Sequence, residues 1–276
     1  MKRPQAPTVR VLAQVLLVLN AATVLGPLAV ALFSAFKTTR EIFRAPFVPP
    51  ASLDLANFVT VWRAGRFDLY LRNSLIVTGG ALALILSLAA LAGYALGRFR
   101  FRLNGLLYLF FLGGLLIPAK LAIIPLFILL RTLNLLDSRL GLCLVYAAAG
   151  LPAAVFILTG FFRALPADLD NAARIDGAGE LGVFWRVMLP LIRPALAIVT
   201  IYSAIPIWND FFLPLVLIQT PELKTITQGL SVFFGQYQTD WGALFAGLIL
   251  AALPIILLYL ALSEQFIKGL TAGATR

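Results

Sequence analysis

The stretch LPADLDNAARIDGAGELGVFWRVMLPLIRP, residues 165–194, is a polar interruption between two long apolar segments. Pro166 stiffens its start, because the proline ring fixes one backbone angle. Asp168 or Asp170 can cap the first amides of a short helix and suits that helix's positive end. Ala172 and Ala173 are small, so another surface can come close to them. Gly177 suits the left-handed turn that closes a helix. Glu180 opens a second helix, on which Leu181, Phe184 and Met188 share a face, and Pro190 ends it. Helices this short are marginal alone in water, so something must pack on them. The hairpin is either a cap over the end of a bundle or a lever gripped by a peripheral partner.

The flanking segments show what the hairpin is attached to. Hydrophobic residues make up 61% of the chain and charged residues 12%. The mean hydropathy is +0.95. A soluble domain carries about a quarter charged residues. The apolar residues also cluster into runs of about 20, enough to cross roughly 30 Å of hydrocarbon as helix. A membrane barrel would show short alternating strands instead. The expected fold class is therefore all-α and integral to a membrane. Six transmembrane helices are expected, near residues 11–36, 75–96, 106–130, 140–162, 195–218 and 241–267, in one domain over 1–276. The first run is too long for a cleaved signal and lacks a clear small-residue cleavage site, so it reads as a retained span.

Six spans place both termini on one side. The basic N-terminus (Lys2, Arg3, Arg10) and the RFRFR run at 98–102 put that side in the cytoplasm. The hairpin, about 163–194, then faces the cytoplasm. The outer loops are about 37–74, 131–139 and 219–240. The first contains PFVPP at 46–50, then Leu55, Phe58, Val59 and Trp62 at the spacing of a short surface helix. The last holds Phe233, Phe234 and Tyr237, as interfacial anchors or a docking rim. The net charge of +10 sits mostly at span ends and in short loops. Membrane lipid headgroups, not nucleic acid, are its expected counter-ions.

Two spans are interrupted. Pro118 and Pro125 flank Lys120 in the third, and Pro206 and Pro214 flank Trp208-Asn209-Asp210 in the fifth. Interrupted spans with polar residues usually line a cavity, since freed backbone groups cannot face lipid. Asp210 is the sharpest candidate there, because an isolated carboxylate in hydrocarbon is costly and must face water, protein or a counter-charge. Lys120 and Tyr202 join it as candidate pathway residues; a helix-packing network or a Lys120–Asp210 ion pair is the structural alternative. There is no histidine, and Cys143 is a lone cysteine in an apolar span. No catalytic set or metal site is expected, and no phosphate-cradling G-x-x-x-x-G-K-[ST] run occurs. Energy must come from elsewhere.

NAARIDGA at 171–178, followed by FWRVMLP at 184–190, resembles the "EAA" loop of permease subunits in ATP-binding-cassette importers. The whole chain is similar to the smaller permease of the sugar importers, the group that handles maltose, other oligosaccharides and glycerol-3-phosphate. SAFKTTREIF at 34–43, LRNSLIV at 71–77, GYALGRFRFR at 93–102, WNDFFLPL at 208–215, TDWG at 239–242 and KGLTAGA at 268–274 carry that likeness. The resemblance implies a coupling helix at about 168–178, which docks in a cleft on the ATPase. Asp168, Asp170, Asn171, Ala172, Ala173, Asp176, Gly177 and Ala178 are its candidate residues. Asn171 stands where the family usually has glutamate, so the usual salt bridge is replaced at most by a hydrogen bond. The resemblance also puts the WND segment near the pathway. There Trp208 offers a stacking face to a sugar ring, and Asn209 offers a donor and an acceptor.

The implied function is inward movement of a sugar, oligosaccharide or related polyol. The implied partners are two ATPase subunits, a second related permease and an extracytoplasmic solute-binding protein. ATP and magnesium would be bound by the partners, leaving this chain without a cofactor. The implied location is the bacterial or archaeal cytoplasmic membrane, and the tail from Lys268 is a candidate for reaching the ATPases. The competing readings are an ion-coupled secondary carrier, an importer permease for a non-sugar solute, and a membrane enzyme.

Overall fold

Runs of apolar side chains in hydrocarbon must close their backbone hydrogen bonds internally, and helices do so. The computed structural model describes residues 7–234 and 239–274, with side chains described from Val11 to Phe266 apart from Ala119 and residues 235–238. In chain order the helices are α1 (Pro7–Ser34), α2 (Thr39–Arg44), α3 (Ala56–Arg63), α4 (Phe67–Arg98), α5 (Asn104–Gly114) and α6 (Ile123–Thr132). They continue with α7 (Arg139–Ala164), α8 (Asp168–Ile175), α9 (Glu180–Leu191) and α10 (Arg193–Asn209). The last are α11 (Phe212–Leu217), α12 (Ile226–Leu230) and α13 (Trp241–Ala274). Tyr237 and the side chains of Lys2, Arg3, Arg10 and the tail from Lys268 lie outside what is described.

Among the described residues, four helices are long and apolar enough to cross a bilayer alone: α1 over Val11–Ser34, α4, α7, and α13 over Trp241–Phe266. A fifth crossing is formed by α9 and α10 if that pair, bent by 72°, is one span. Two of the six expected spans are therefore not continuous rods. The third becomes α5 and α6, with a 3-10 turn at Ala119–Ala122 after Pro118, whose backbone is extended at ψ 111°. The fifth is cut at Asp210, where ψ is 129°, and not at its prolines. Pro206 is carried inside α10, and Pro214 sits in the first turn of α11, where a backbone N–H has no helical acceptor.

The described residues form two compact units, each built from two separated stretches: 1–68 with 229–252, and 69–228 with 253–276. In the first, Thr38 and Glu41 form a reciprocal capping box at the start of α2. Lys37 is buried and donates to the carbonyls of Ala45 and Val48, holding the PFVPP segment against the start of α2. Asn57 Nδ2 donates to Ala35 O and Lys37 O, both at 2.9 Å. Gly242 lies so close that a Cβ there would stand 2.4 Å from Lys37 O. Thus the SAFK and TDWG signatures, far apart in sequence, meet through a glycine that has no room for a side chain. On α3 the surface helix forms as expected. Its buried side chain is Val61, whereas Val59 and Trp62 stay half exposed.

In the second unit α4 and α7 approach through glycine. A Cβ at Gly93 would meet Leu158 Cβ and Thr159 N at 3.1 Å, and one at Gly97 would meet Phe162 Cβ at 2.9 Å. This is the close small-residue packing that membrane helices use in place of a hydrophobic driving force. Among the described residues of this unit, two apolar clusters form. One is centred on Tyr94, whose ring lies 5.4 Å from Phe162 and 5.2 Å from Phe184. The other gathers Val77, Leu142, Cys143, Leu213 and Leu217. Both α4 and α7 contribute to each.

Gly242→Ala is expected to destabilise the protein by about 1–3 kcal/mol, because the added methyl overlaps a backbone oxygen that cannot swing away. Gly160→Ala, which meets nothing within 4 Å, serves as the control. Thermal unfolding of the detergent-purified protein measures both. Equal melting temperatures for the two variants would contradict this packing.

Candidate functional site: a hairpin and a cavity

The hairpin lies between α7 and α10. α7 ends at Ala164, and Leu165 turns extended with ψ 142° ahead of Pro166. Ala167, not Asp168 or Asp170, occupies the cap position of α8, and no side chain caps that end. Asp168 and Asp170 are the first and third residues after Ala167, on the first turn, where their charge suits the helix's positive end. At the other end Gly177 has φ +83°, with Gly177 N bonded to Arg174 O and Ala178 N to Ala173 O. These two bonds form a Schellman turn, which satisfies carbonyls that an α-helix leaves free.

The two faces of α8 differ. Asp170 and Ala173 are buried, and Asp168, Asn171, Ala172, Asp176 and Gly177 are exposed, with Ala178 between. Ile175 is 86% exposed. In α9, residues Val183–Met188 wind as a π-type helix, wider than an α-turn. That change of winding breaks the expected shared face: Phe184 and Met188 are buried while Leu181 and Trp185 are exposed. Arg174 Nε lies 2.9 Å from Glu180 Oε1 across the turn, but both are well exposed and such a pair contributes little.

The buried face of α8 is held by Arg98, at the C-terminus of α4. Its Nε donates to Asp170 Oδ2 at 2.7 Å, and both side chains are more than nine-tenths buried. Its Nη1 donates to Phe162 O and Leu165 O, at 3.1 and 2.8 Å, and its Nη2 to Pro166 O at 2.9 Å. One guanidinium therefore binds three carbonyls where α7 stops, one of which, Phe162 O, also accepts from Leu165 N, and a carboxylate on the next helix. Asp170 Oδ1 and the Tyr94 hydroxyl are buried with no hydrogen-bond partner among the described residues. The desolvation of the pair is thus incompletely offset, so the contact fixes geometry more than it adds stability. The sequence reading used Arg98 only as an orientation charge, and its place in GYALGRFRFR was the signal that could have found it.

The second feature is a cavity of about 470 Å³ among α5, α7, α10 and α11. It brings together Lys120, Tyr202 and Asp210 of the expected pathway set. It does not include Trp208, which is 4% exposed, or Asn209, whose Nδ2 donates to Ile205 O of its own helix. Lys120 and Asp210 form no ion pair. Lys120 Nζ stands 5.9 Å over the Phe212 ring. The Asp210 carboxylate accepts from the Tyr146 hydroxyl at 2.9 Å and from the N–H groups of Phe212 and Leu213 at 3.3 Å. Thr227 Oγ1 donates to its backbone carbonyl at 2.7 Å. Asp210 is the node that caps α11 and ties it to α7. Tyr146 and Thr227 were not singled out in sequence, because a tyrosine inside an apolar span and a loop threonine carry no motif. The hairpin leads into the N-terminus of α10 and the cavity is lined by its C-terminal half from Tyr202 on, about 14 Å along at 1.5 Å per residue.

Residues 86–271 match the family described as "Binding-protein-dependent transport system inner membrane component". The chain is 38% identical to the diacetylchitobiose uptake system permease protein NgcG of Streptomyces coelicolor, over 95% of this chain and 87% of that protein. It is 33% identical to the maltodextrin transport system permease protein MdxG of Bacillus subtilis, over 94% of each. Its fold matches, with a TM-score of 0.83, a chain in the crystal structure of a bacterial ABC transporter involved in import of the acidic polysaccharide alginate. That match covers 96% of this chain and all of the other at 23% identity.

Tyr146→Phe is expected to lower stability by about 1 kcal/mol, the worth of one hydrogen bond. Asp210→Ala is expected to cost more, since it also uncovers two helix N–H groups. Melting curves of the purified protein rank the two. An Asp210→Ala variant no less stable than Tyr146→Phe would remove Asp210 from its role as a node.

Proposed function

The chain belongs to the family of inner membrane components of binding-protein-dependent transport systems, and from that premise we propose that it is the permease subunit of an ATP-driven importer of a sugar or oligosaccharide. The observation that carries the reading is α8 itself. Its inner face is anchored by Arg98, its end is closed by a left-handed glycine, and its outer face is left bare, with Ile175 almost fully exposed. A short helix held rigidly from behind, with small and apolar residues outward, has the form of a knob for a cleft on another protein. The ATPases dock there, through Asn171, Ala172, Asp176 and Gly177, with Asp170 and Ala173 as the inward anchor. Asn171 supplies a hydrogen bond where a glutamate would supply a charge.

The relatives named above give the cargo its class. Their names specify diacetylchitobiose and maltodextrin, both oligosaccharides. The cavity suits part of such a path: Lys120 and Tyr202 present a cation and a hydroxyl on a mostly apolar wall. Asp210 serves it indirectly, by fixing α11 beside Tyr146. A second permease completes the pathway, and two ATPases and a solute-binding protein complete the assembly. Both termini and the hairpin face the cytoplasm, with the RFRFR run on the same side. ATP chemistry belongs to the partners.

Gly177→Val tests the docking role. No atom lies within 4 Å of its missing Cβ, so steric overlap is not the issue; φ +83° is. A branched residue is strained there, and the turn must re-form. Transport in reconstituted vesicles is expected to fall about tenfold or more, with co-purification of the ATPase reduced and the binding protein's ligand affinity unchanged. Wild-type transport by Gly177→Val would refute the docking reading. Native mass measurement of the solubilised complex separately tests for one copy of this chain, one second permease and two ATPases.

A further inference from the structure

We propose that Arg98 is a positioning residue that makes α8 and the end of α4 move as one body, so that displacement of the hairpin reaches the cavity through α4 and α7. The proposal rests on the reading that α8 is where the ATPases act. Its basis is the reach of one side chain. The Arg98 guanidinium spans the last turn of α7, the Leu165–Pro166 link and the first turn of α8. A chain link with an extended residue and a proline would otherwise let α8 pivot about α7. Four hydrogen bonds from a planar fork remove that freedom, because a guanidinium cannot follow a rotating partner without losing bonds on one edge.

The helix that carries Arg98 is itself locked to α7. Gly93 and Gly97 bring the two backbones together one turn apart, at Leu158, Thr159 and Phe162. Phe162 takes part twice, as the packing partner of Gly97 and as an acceptor for Arg98. Further along, α4 and α7 meet again at Gly80, where a Cβ would stand 3.0 Å from Cys143 Sγ. Tyr146, which holds Asp210 at the cavity, lies one helical turn from Cys143 on α7. A continuous, close-packed element therefore joins the Arg98 clamp to the cavity wall. Lysine could keep the ion pair with Asp170 but not the three carbonyls as well, since it has no planar fork.

The test uses the complete complex in nanodiscs, with spin labels on introduced cysteines at exposed positions. Cys143 stays in place because it is buried. One pair is Leu75 and Ala167, reading the hairpin against α4. The other is Leu75 and Ile117, reading the cavity rim against α4. Distances are recorded without nucleotide and after trapping with ATP and orthovanadate. In the otherwise native protein the Leu75–Ala167 distance is expected to stay fixed while Leu75–Ile117 shifts by about 2 Å or more. In Arg98→Ala the Leu75–Ala167 distance is expected to shift or broaden on trapping, and the cavity response to fade, with Arg98→Lys intermediate. A role in stability alone would lower the yield of complex without making the Leu75–Ala167 distance depend on trapping.

An unchanged response in both Arg98 variants would overturn the proposal and leave the importer reading standing. So would a Leu75–Ala167 distance that already shifts in the native protein. If neither Arg98 variant assembles, Arg98 is a folding residue and the proposal falls. If trapping moves neither pair in the native protein, the ATPase-docking reading itself fails.

Discussion

A break in a helix frees backbone groups that need partners, and several polar side chains of this protein are placed to meet them. Arg98 covers three carbonyls where α7 stops. Asp210 covers two N–H groups where α11 starts. Asn73 donates to Glu222 O and Lys224 O. Asp137 accepts from the N–H groups of Gln219 and Thr220, and from the Thr220 hydroxyl. Burial alone would raise the Asp137 pKa, but these three donated bonds outweigh it and hold the carboxyl below its ordinary value. Lys37, Arg98, Asp137 and Asp210 all hydrogen-bond to backbone groups of their own chain.

This constraint explains why the hairpin and the cavity are both built at breaks. Inside a continuous helix the backbone groups are already paired with one another. Where the helix stops, a clamp is needed, and a clamp fixes the direction of whatever follows. At the α7 end the clamp aims α8 outward. At the α10 end it aims α11 beside the cavity. α7 carries the Arg98 clamp at its C-terminal end and cavity-lining residues from Tyr146 to Ala153, about 14–24 Å back along the helix, whereas α10 carries the Asp210 clamp and its cavity wall in the same C-terminal half. Close packing makes such elements shift as blocks rather than bend smoothly.

The legible parts were those whose cause is local. Gly177 could be read as a left-handed turn because that conformation excludes most other residues. The long apolar runs could be read as membrane helices because length and hydropathy suffice. The readings that moved depended on neighbours. Asp170 had the composition of a cap but found Arg98. Leu181 had the spacing of a buried face, but the π-type winding at Val183–Met188 turned it outward. Trp208 looked like a stacking face and is packed away at 4% exposure. Pro206 and Pro214 looked like the break, yet Asp210 provides it, because a carboxylate can satisfy freed amides and a proline can only remove one.

By itself the sequence determined that the chain is a helical membrane protein with a polar hairpin, that the hairpin turns at Gly177, and that its motifs are those of an importer permease. These follow from hydropathy, from the conformational limits of glycine and proline, and from the order of residues along the chain. Only the tertiary structure decided which polar groups pair. Arg98 and Asp170 lie 72 positions apart, and Tyr146 and Asp210 lie 64 apart. No periodicity or motif spans such separations. Whether a buried charge becomes a clamp, a cap or part of a pathway is set by the partner that packing brings within hydrogen-bond reach.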